Sequence, residues 1–194
     1  MDHLEAIAVG LEAGKPYKEI ARKVFLTYPT KVFVGDEERQ YQILNEISVQ
    51  FDVPIHNVHV CGSAKIGRSL HQKTDFRPKT SDLDVAILDS RLFSACVAQV
   101  LSTSKGFSDR TGFPIRNGLS VFGEYVEYVA RGIFRPDLMP AGPARAQWNN
   151  FFGELSRKHS DLFKSISAGV YLSQAFFEQK QRSVINSYQA DRPI

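Results

Sequence analysis

The chain has 194 residues, which is enough for one domain with a hydrophobic core of its own. Hydrophobic residues make up 43% of it and charged residues 23%, so the composition excludes a chain that is disordered throughout. The formal net charge of +3 is too small to indicate a nucleic-acid binder, and no apolar run approaches the roughly 18–20 residues that span a bilayer.

The cysteine content and the first residues bear on the cellular compartment. Cys61 and Cys96 make no disulfide framework, and the segment that begins Met1-Asp2-His3 lacks the apolar stretch of a secretory signal. We therefore expect a cytoplasmic protein that does not associate with a membrane.

Residues 1–53 carry apolar positions at helical spacing and are predicted to form N-terminal helices. Gly14 and Pro16 mark the turn between the first two helices, Asp36 suits the N-cap of a third, and Pro54 stops it. The first two helices also fit a helix-turn-helix DNA reader. A packed hairpin is favoured because the second helix lacks a row of base-reading side chains.

The middle of the chain alternates strand and helix signals. Short apolar runs predict strands at 58–61 and 82–88, and helical spacing predicts a turn or short helix over 64–70 and a helix over 92–100. The polar stretch 71–80 is predicted to be a loop.

The last third is predicted from turn signals and apolar spacing. Asn117-Gly118 indicates a tight turn, and the β-branched and aromatic residues of 121–130 indicate mainly strand. An apolar stripe around Trp148 predicts one helix, and the spacing over 162–177 predicts a long last helix.

These elements predict a single α+β (α/β-like) domain. Residues 1–53 supply N-terminal helices, residues 56–137 a small mixed sheet that carries the site, and residues 142–190 C-terminal helices.

Asp82 and Asp84 are the first candidates for chemistry. Alternate residues of a strand share a face, so the two carboxylates point the same way while Leu83 and Val85 point into apolar packing. Two carboxylates at such a short distance repel each other, which favours protonation of one of them unless a cation lies between them. Mg²⁺ binds few carboxylates and completes its shell with water and phosphates, so this pattern indicates a metal site for a nucleotide.

Gly62 and Ser63 end the preceding predicted strand where the chain turns into a helix. Glycine allows the backbone to approach a ligand, helix N-terminal amides attract phosphate, and the serine adds a hydroxyl donor. Lys65 and Arg68 are near enough in sequence to offer positive charge to the same phosphates, and Ser81 directly precedes the aspartate pair.

The ordered pair Gly62-Ser63 and Asp82-Leu83-Asp84 resembles the core motif of the DNA polymerase β-like nucleotidyltransferase superfamily, in particular its small bacterial members. The resemblance covers about residues 58–88. It implies a nucleotidyltransferase fold, binding of a nucleoside triphosphate such as ATP at Gly62-Ser63, and Mg²⁺ or Mn²⁺ held by the aspartates. It also implies transfer of a nucleoside monophosphate to a hydroxyl with release of pyrophosphate.

The sequence departs from this family in two respects. The separation between Ser63 and Asp82 is longer than usual, and the excess falls in the 71–80 loop. The family carries a third carboxylate on a later strand, for which Asp137 is the first candidate because its surroundings resemble an Asp-Leu-Val-Pro-Ala element of second-messenger synthases. Glu124 and Glu127 are alternatives.

The acceptor stays open. Another nucleotide would give a signalling oligonucleotide, as in anti-phage defence, and a protein side chain would fit an antitoxin that modifies a toxin. An RNA end or a small antibiotic-like molecule also fits, whereas the near-neutral charge disfavours long nucleic acid. The expected partners are thus the triphosphate and an effector or toxin protein. The alternative function is a catalytically degenerate module that binds a nucleotide or protein.

Overall fold

A computed structural model describes residues 2–190. Its α-helices are α1 (His3–Glu12), α2 (Tyr17–Ala21), α3 (Glu37–Phe51), α4 (Gly62–Ile66), α5 (Ser90–Thr103), α6 (Phe122–Ala130), α7 (Pro143–Lys158) and α8 (Gln174–Ala190). A π-helical segment, Arg22–Thr27, continues α2, and short 3₁₀ turns cover Lys31–Phe33, Ile55–Asn57 and Pro136–Leu138. None of the helices in this described part is both long and apolar enough to cross a bilayer.

The strands form one small mixed sheet and two hairpins. They are β1 (Val58–Cys61), β2 (Arg68–Ser69), β3 (Thr74–Asp75), β4 (Leu83–Leu88), β5 (Ile115–Arg116), β6 (Leu119–Ser120), β7 (Ile133–Phe134) and β8 (Ile166–Tyr171). The main sheet has the order β1-β4-β8-β7. Strand β4 runs antiparallel to β1 and parallel to β8, and β7 is antiparallel to β8. Strands β2 and β3 pair in one hairpin and β5 and β6 in the other.

Successive side chains of β4 point to opposite faces of the sheet. Leu83, Val85 and Ile87 are buried on the face that packs against α3, α5 and α7. Ala86 lies on the opposite face, in the core formed with α1, α2 and α8. Asp84 belongs to this second face, where α8 covers only part of the sheet.

Much of the predicted order is confirmed. The mixed sheet with helices on its flanks is present, β1 and β4 occupy the predicted segments, and α3, α5 and α7 form where apolar spacing indicated helices. The first two helices pack against each other, and α2 also packs on α8 through its buried residues Ile20 and Ala21.

The prediction for 121–130 is wrong. This segment forms α6, and the strands of this region are the two-residue pair β5–β6 around the Asn117-Gly118 turn. Both turn residues have positive φ, 52° and 78°, as a tight hairpin requires. Tyr125 is the only fully buried residue of α6. The other β-branched and aromatic side chains of the segment lie on partly exposed faces of this helix, where they do not make the sheet packing that favours such residues in strands.

The prediction of a long last helix over 162–177 is also wrong. Ile166 and Val170 are four residues apart, which fits one helical turn but also two repeats of a strand. The structure adopts the second solution, with Ile166, Ala168 and Val170 buried in β8. The sheet core therefore extends beyond residues 56–137, because β8 is one of its inner strands.

The short helix predicted over 64–70 ends early. Gly67 has a φ of +86° and ends α4 after Ile66. Arg68 and Ser69 then pair with Thr74 and Asp75, so the stretch 71–80, predicted as a loop, contains the second strand of a hairpin.

Candidate functional site

A cleft of about 1120 Å³ opens over the α8 side of the sheet and continues around β8 to α7. Its walls come from the turn after β1, the β2–β3 hairpin, the segment after β7 and one face of α8. Both aspartates of the Asp-x-Asp pattern contribute to it, as do Gly62, Ser63 and Ser81. The structure therefore brings the two halves of the predicted motif into one cavity.

Gly62 makes the closest approach to the aspartate pair. Cys61 and Asp84 are register partners in β1 and β4, so the turn that follows Cys61 begins beside Asp84. A Cβ atom built on Gly62 would lie 2.5 Å from Oδ2 of Asp84, which is inside van der Waals contact, and the φ of Gly62 is +64°. Only glycine combines this backbone conformation with this approach. The Gly62-Ser63 turn is thus held directly against one carboxylate.

Strand β8 and the residue before it, Ser165, supply the second set of neighbours. Oγ of Ser165 donates a hydrogen bond of 2.7 Å to Oδ1 of Asp82. Ser167 is the register partner of Asp84, and its hydroxyl hydrogen-bonds the Asp84 carboxylate. The prediction of a helix over this segment misses both serines. The alternation of Ile166, Ala168 and Val170 with small residues is the signal of a strand that would find them.

The electrostatics of the pair favour a cation. Loss of water around the Asp84 carboxylate raises its pKa, and the neighbouring Asp82 charge raises it further. The hydrogen bond from Ser167 and the positive charge of Arg135 act in the opposite direction. An ionised Asp84 is therefore an unfavourable state that a bound divalent cation would relieve.

Arg135 connects this pair with the predicted third carboxylate. Asp137 lies in the 3₁₀ turn after β7 and lines the cleft. It accepts hydrogen bonds of 3.0 Å from Nε and 2.7 Å from Nη2 of Arg135, and Arg116 approaches it at 3.4 Å. The guanidinium of Arg135 also stacks on the Tyr128 ring, 4.9 Å from its centroid. Asp137 is thus neutralised by two arginines, and it would have to leave them to reach a metal ion.

The two alternative carboxylates lie on a helix, α6, and not on a strand. Glu124 pairs with Arg116 at 3.0 Å, and Glu127 pairs with Arg131 at 3.3 Å on the exposed surface. Within residues 2–190, no three His, Cys, Asp or Glu side chains cluster closely enough to form a metal site among themselves. Any ion held here by Asp82 and Asp84 would need ligands from substrate and water.

The predicted phosphate ligands differ in their placement. Ser63 and Ser81 line the cleft, and Oγ of Ser81 accepts a hydrogen bond from the Arg77 amide. Arg68 lines it too, but its guanidinium is held within the β2–β3 hairpin by Asp75 at 2.8 Å.

Lys65 is placed differently, because it is buried and is not part of the cleft wall. Its Nζ donates to the Tyr28 carbonyl at 2.5 Å, and burial lowers its pKa to about 8. A phosphate contact would require this side chain to leave its buried position.

Comparison of the chain with protein-family models, with curated proteins and with solved structures finds no match.

Proposed function

We propose that this protein is a metal-dependent nucleotidyltransferase that uses Asp82 and Asp84 to transfer a nucleoside monophosphate from a nucleoside triphosphate to a hydroxyl acceptor. The supporting observation is that the adjacent carboxylates share a cleft with the Gly62-Ser63 turn, which approaches Asp84 to within contact distance. The proposed fold assignment within the DNA polymerase β-like superfamily depends on the same pair of motifs.

The residues present fit a divalent ion of the Mg²⁺ or Mn²⁺ type. Asp82 and Asp84 offer hard oxygen ligands from one face of the sheet. The pKa of Asp84 is raised, first by burial and then by the Asp82 charge, and this supports a cation at the pair. Ser165 and Ser167 each hydrogen-bond one of the carboxylates, which fixes the direction of the remaining oxygen lone pairs.

In this proposal, the chain binds and orients the reactants. Asp82 and Asp84 would hold the ion, and the Ser63 hydroxyl and the open backbone at Gly62 would contact the β- and γ-phosphates. A bound divalent ion would stabilise the charge that develops on the phosphates and lower the pKa of the acceptor hydroxyl. The acceptor oxygen forms a bond to the α-phosphorus, the bond to the pyrophosphate oxygen breaks, and the hydroxyl proton is released. Asp137 is the proposed acceptor of that proton or third ligand, once it is released from Arg135.

The test is a product assay. Purified protein is incubated with Mg²⁺ or Mn²⁺ and each labelled nucleoside triphosphate, and pyrophosphate and nucleotidylated product are measured. Asp82→Asn and Asp84→Asn should abolish both, whereas Asp52→Asn, at an exposed aspartate paired with Arg91, should leave them unchanged. Product formation that persists in the Asp82/Asp84 double variant would contradict the assignment.

One observation favours the second candidate, a nucleotide- or protein-binding module without turnover. The positive charge of Arg135 acts on Asp84 and neutralises Asp137, so part of the role of a metal ion is already taken by a side chain. This alternative predicts triphosphate binding that depends on Asp84 without any release of pyrophosphate.

The acceptor and the cellular setting belong to the same proposal. A nucleotide acceptor would give a signalling molecule in antiviral defence, and a toxin acceptor would make the protein an antitoxin, both in the cytoplasm. Incubation with a single labelled triphosphate separates the two, because only the first acceptor gives a product without added protein.

A further inference from the structure

Two polar side chains in the inner cleft are buried without a hydrogen-bond partner. Gln181 on α8 is 4% exposed and Tyr171 at the end of β8 is 7% exposed, and both line the cleft. Neither the Gln181 amide nor the Tyr171 hydroxyl hydrogen-bonds any group within the described residues. Among residues 2–190, the Tyr125 hydroxyl is the one side-chain polar atom that is both inaccessible to water and without a hydrogen-bond partner. The polar atoms of Gln181 and Tyr171 are therefore accessible to water, and they reach it through the cleft.

The position of this pair connects it with the proposed reaction site. Burial raises the pKa of the Tyr171 hydroxyl, and the nearby Cys61 and Asp84 side chains raise it further, so the hydroxyl lies near both. Lys180, next to Gln181 on α8, also lines the cleft and acts electrostatically on the Cys61 thiol. Gln181 and Tyr171 therefore lie on the α8 side of Asp84, within the same cavity.

The walls around these groups are apolar. The side chains that line this part of the cleft and belong to the α1/α2/α8 core are Phe25, Ile66, Leu70, Ile133 and Val184. An amide that offers one donor and one acceptor edge beside apolar walls is suited to a flat, heteroaromatic ligand with adjacent donor and acceptor atoms. Nucleobases have such edges, and glutamine reads them with paired hydrogen bonds.

We propose that Gln181 contacts the base edge of the nucleoside triphosphate and sets the base preference of the enzyme, with the Tyr171 hydroxyl as a second contact. This inference rests on the proposed function, because it takes the ligand of the Asp82–Asp84 site to be a nucleotide. A bound base displaces water from the Gln181 amide, so a base that replaces those hydrogen bonds gains affinity over one that leaves the amide unpaired.

The experiment measures equilibrium binding of four nucleoside triphosphates, ATP, GTP, CTP and UTP, and of inorganic tripolyphosphate, each with Mg²⁺. Tripolyphosphate carries the phosphates without a base, so it reports the metal and phosphate site alone. The variants are Gln181→Met, which keeps the length of the side chain but removes both hydrogen-bonding groups, and Gln179→Met, the matched control at an exposed position of the same helix. Tyr171→Phe tests the second contact.

We expect the wild type and Gln179→Met to prefer one base over the least favoured one by about tenfold or more. Gln181→Met should reduce this preference to within about twofold and leave tripolyphosphate affinity unchanged, which also shows that the variant is folded. Equal affinity of the wild type for all four nucleotides, or unchanged preference in Gln181→Met, would overturn the inference while leaving the nucleotidyltransferase proposal intact. Absence of any nucleotide and tripolyphosphate binding would instead overturn the proposed function.

Discussion

Gly62→Ala separates the backbone requirement at the turn from its contact with the aspartate. Two costs are expected. The left-handed conformation of residue 62 costs about 1–2 kcal/mol for a residue with a Cβ. The new Cβ, 2.5 Å from Oδ2 of Asp84, also forces that carboxylate out of its rotamer at about 0.5–1.5 kcal/mol. The free energy of unfolding should therefore fall by about 1.5–3.5 kcal/mol.

The chain offers a matched control for the first cost. Gly14 has the same φ of +64°, but among residues 2–190, its own chain neighbours apart, no atom lies within 4 Å of a Cβ built on it. Gly14→Ala should show the backbone cost alone and retain full activity. Because the contact partner at residue 62 is the flexible end of a side chain, the extra loss of stability in Gly62→Ala should be small. Its loss of activity should be large, at least tenfold, because the proposed metal ligand is displaced.

The assays are chemical denaturation, with a linear extrapolation to water, and pyrophosphate release under identical conditions. In an Asp84→Ala background the contact is relieved, so the effect of Gly62→Ala on stability should shrink to that of Gly14→Ala. Gly62→Ala that is folded and fully active would refute the reasoning, because Asp84 would then not be needed where the structure places it.

Three further predictions follow from the charges. First, the pKa of Asp84 is raised in the folded protein, so ionisation of this carboxyl destabilises the fold. The protonated carboxyl stabilises the folded state fully below the ordinary aspartate pKa, and this stabilisation is lost as pH rises through the raised pKa. Asp84→Asn should therefore raise the melting temperature at pH 7 but not at pH 3, and Mg²⁺ with a triphosphate should raise it only in the wild type. Second, Lys65 has its pKa lowered to about 8, so the wild type should gain stability as pH rises from 8 towards the ordinary lysine pKa of about 10.4. In thermal denaturation, Lys65→Met should not show this gain in stability with pH. The variant should keep its affinity for tripolyphosphate, because Nζ of Lys65 is hydrogen-bonded to the Tyr28 carbonyl. A reduced affinity would indicate instead that Lys65 binds phosphate. Third, Arg22 donates hydrogen bonds of 2.9 and 3.1 Å to the buried carboxylate of Glu178. These bonds keep the pKa of Glu178 below its ordinary value. This stabilisation exists above the ordinary glutamate pKa and disappears as pH falls through the folded one, so Arg22→Met should destabilise the protein at pH 7 and have little effect at pH 3.

The sequence was sufficient for the half of the site that is local. Gly62-Ser63 and Asp82-Leu83-Asp84 each lie at one end of a strand whose apolar run is unambiguous, and antiparallel pairing of β1 with β4 brings those ends together. The proximity of the two motifs could therefore be predicted from residues 58–88 alone.

The distant half could not be predicted in the same way. Ser167 lies in β8 and Ser165 directly precedes it. Strand β8 pairs with β4 across about 80 residues of chain, and its apolar spacing fits a helix as well as a strand. The surroundings of Asp137 depend on Arg116 and Arg135, whose positions are set by the β5–β6 hairpin and β7. Local sequence does not indicate which strand β7 or β8 pairs with, because that pairing arises from tertiary packing.

The central claim is that Asp82 and Asp84 together bind a divalent ion that also contacts a triphosphate beside Gly62-Ser63. Its most direct test is anomalous diffraction at the manganese edge, from crystals grown with Mn²⁺ and a non-hydrolysable nucleoside triphosphate. We expect an anomalous peak at coordination distance from both carboxylates, with phosphate oxygens completing the shell. A nucleotide bound without such a peak, or a peak at another site, would contradict it.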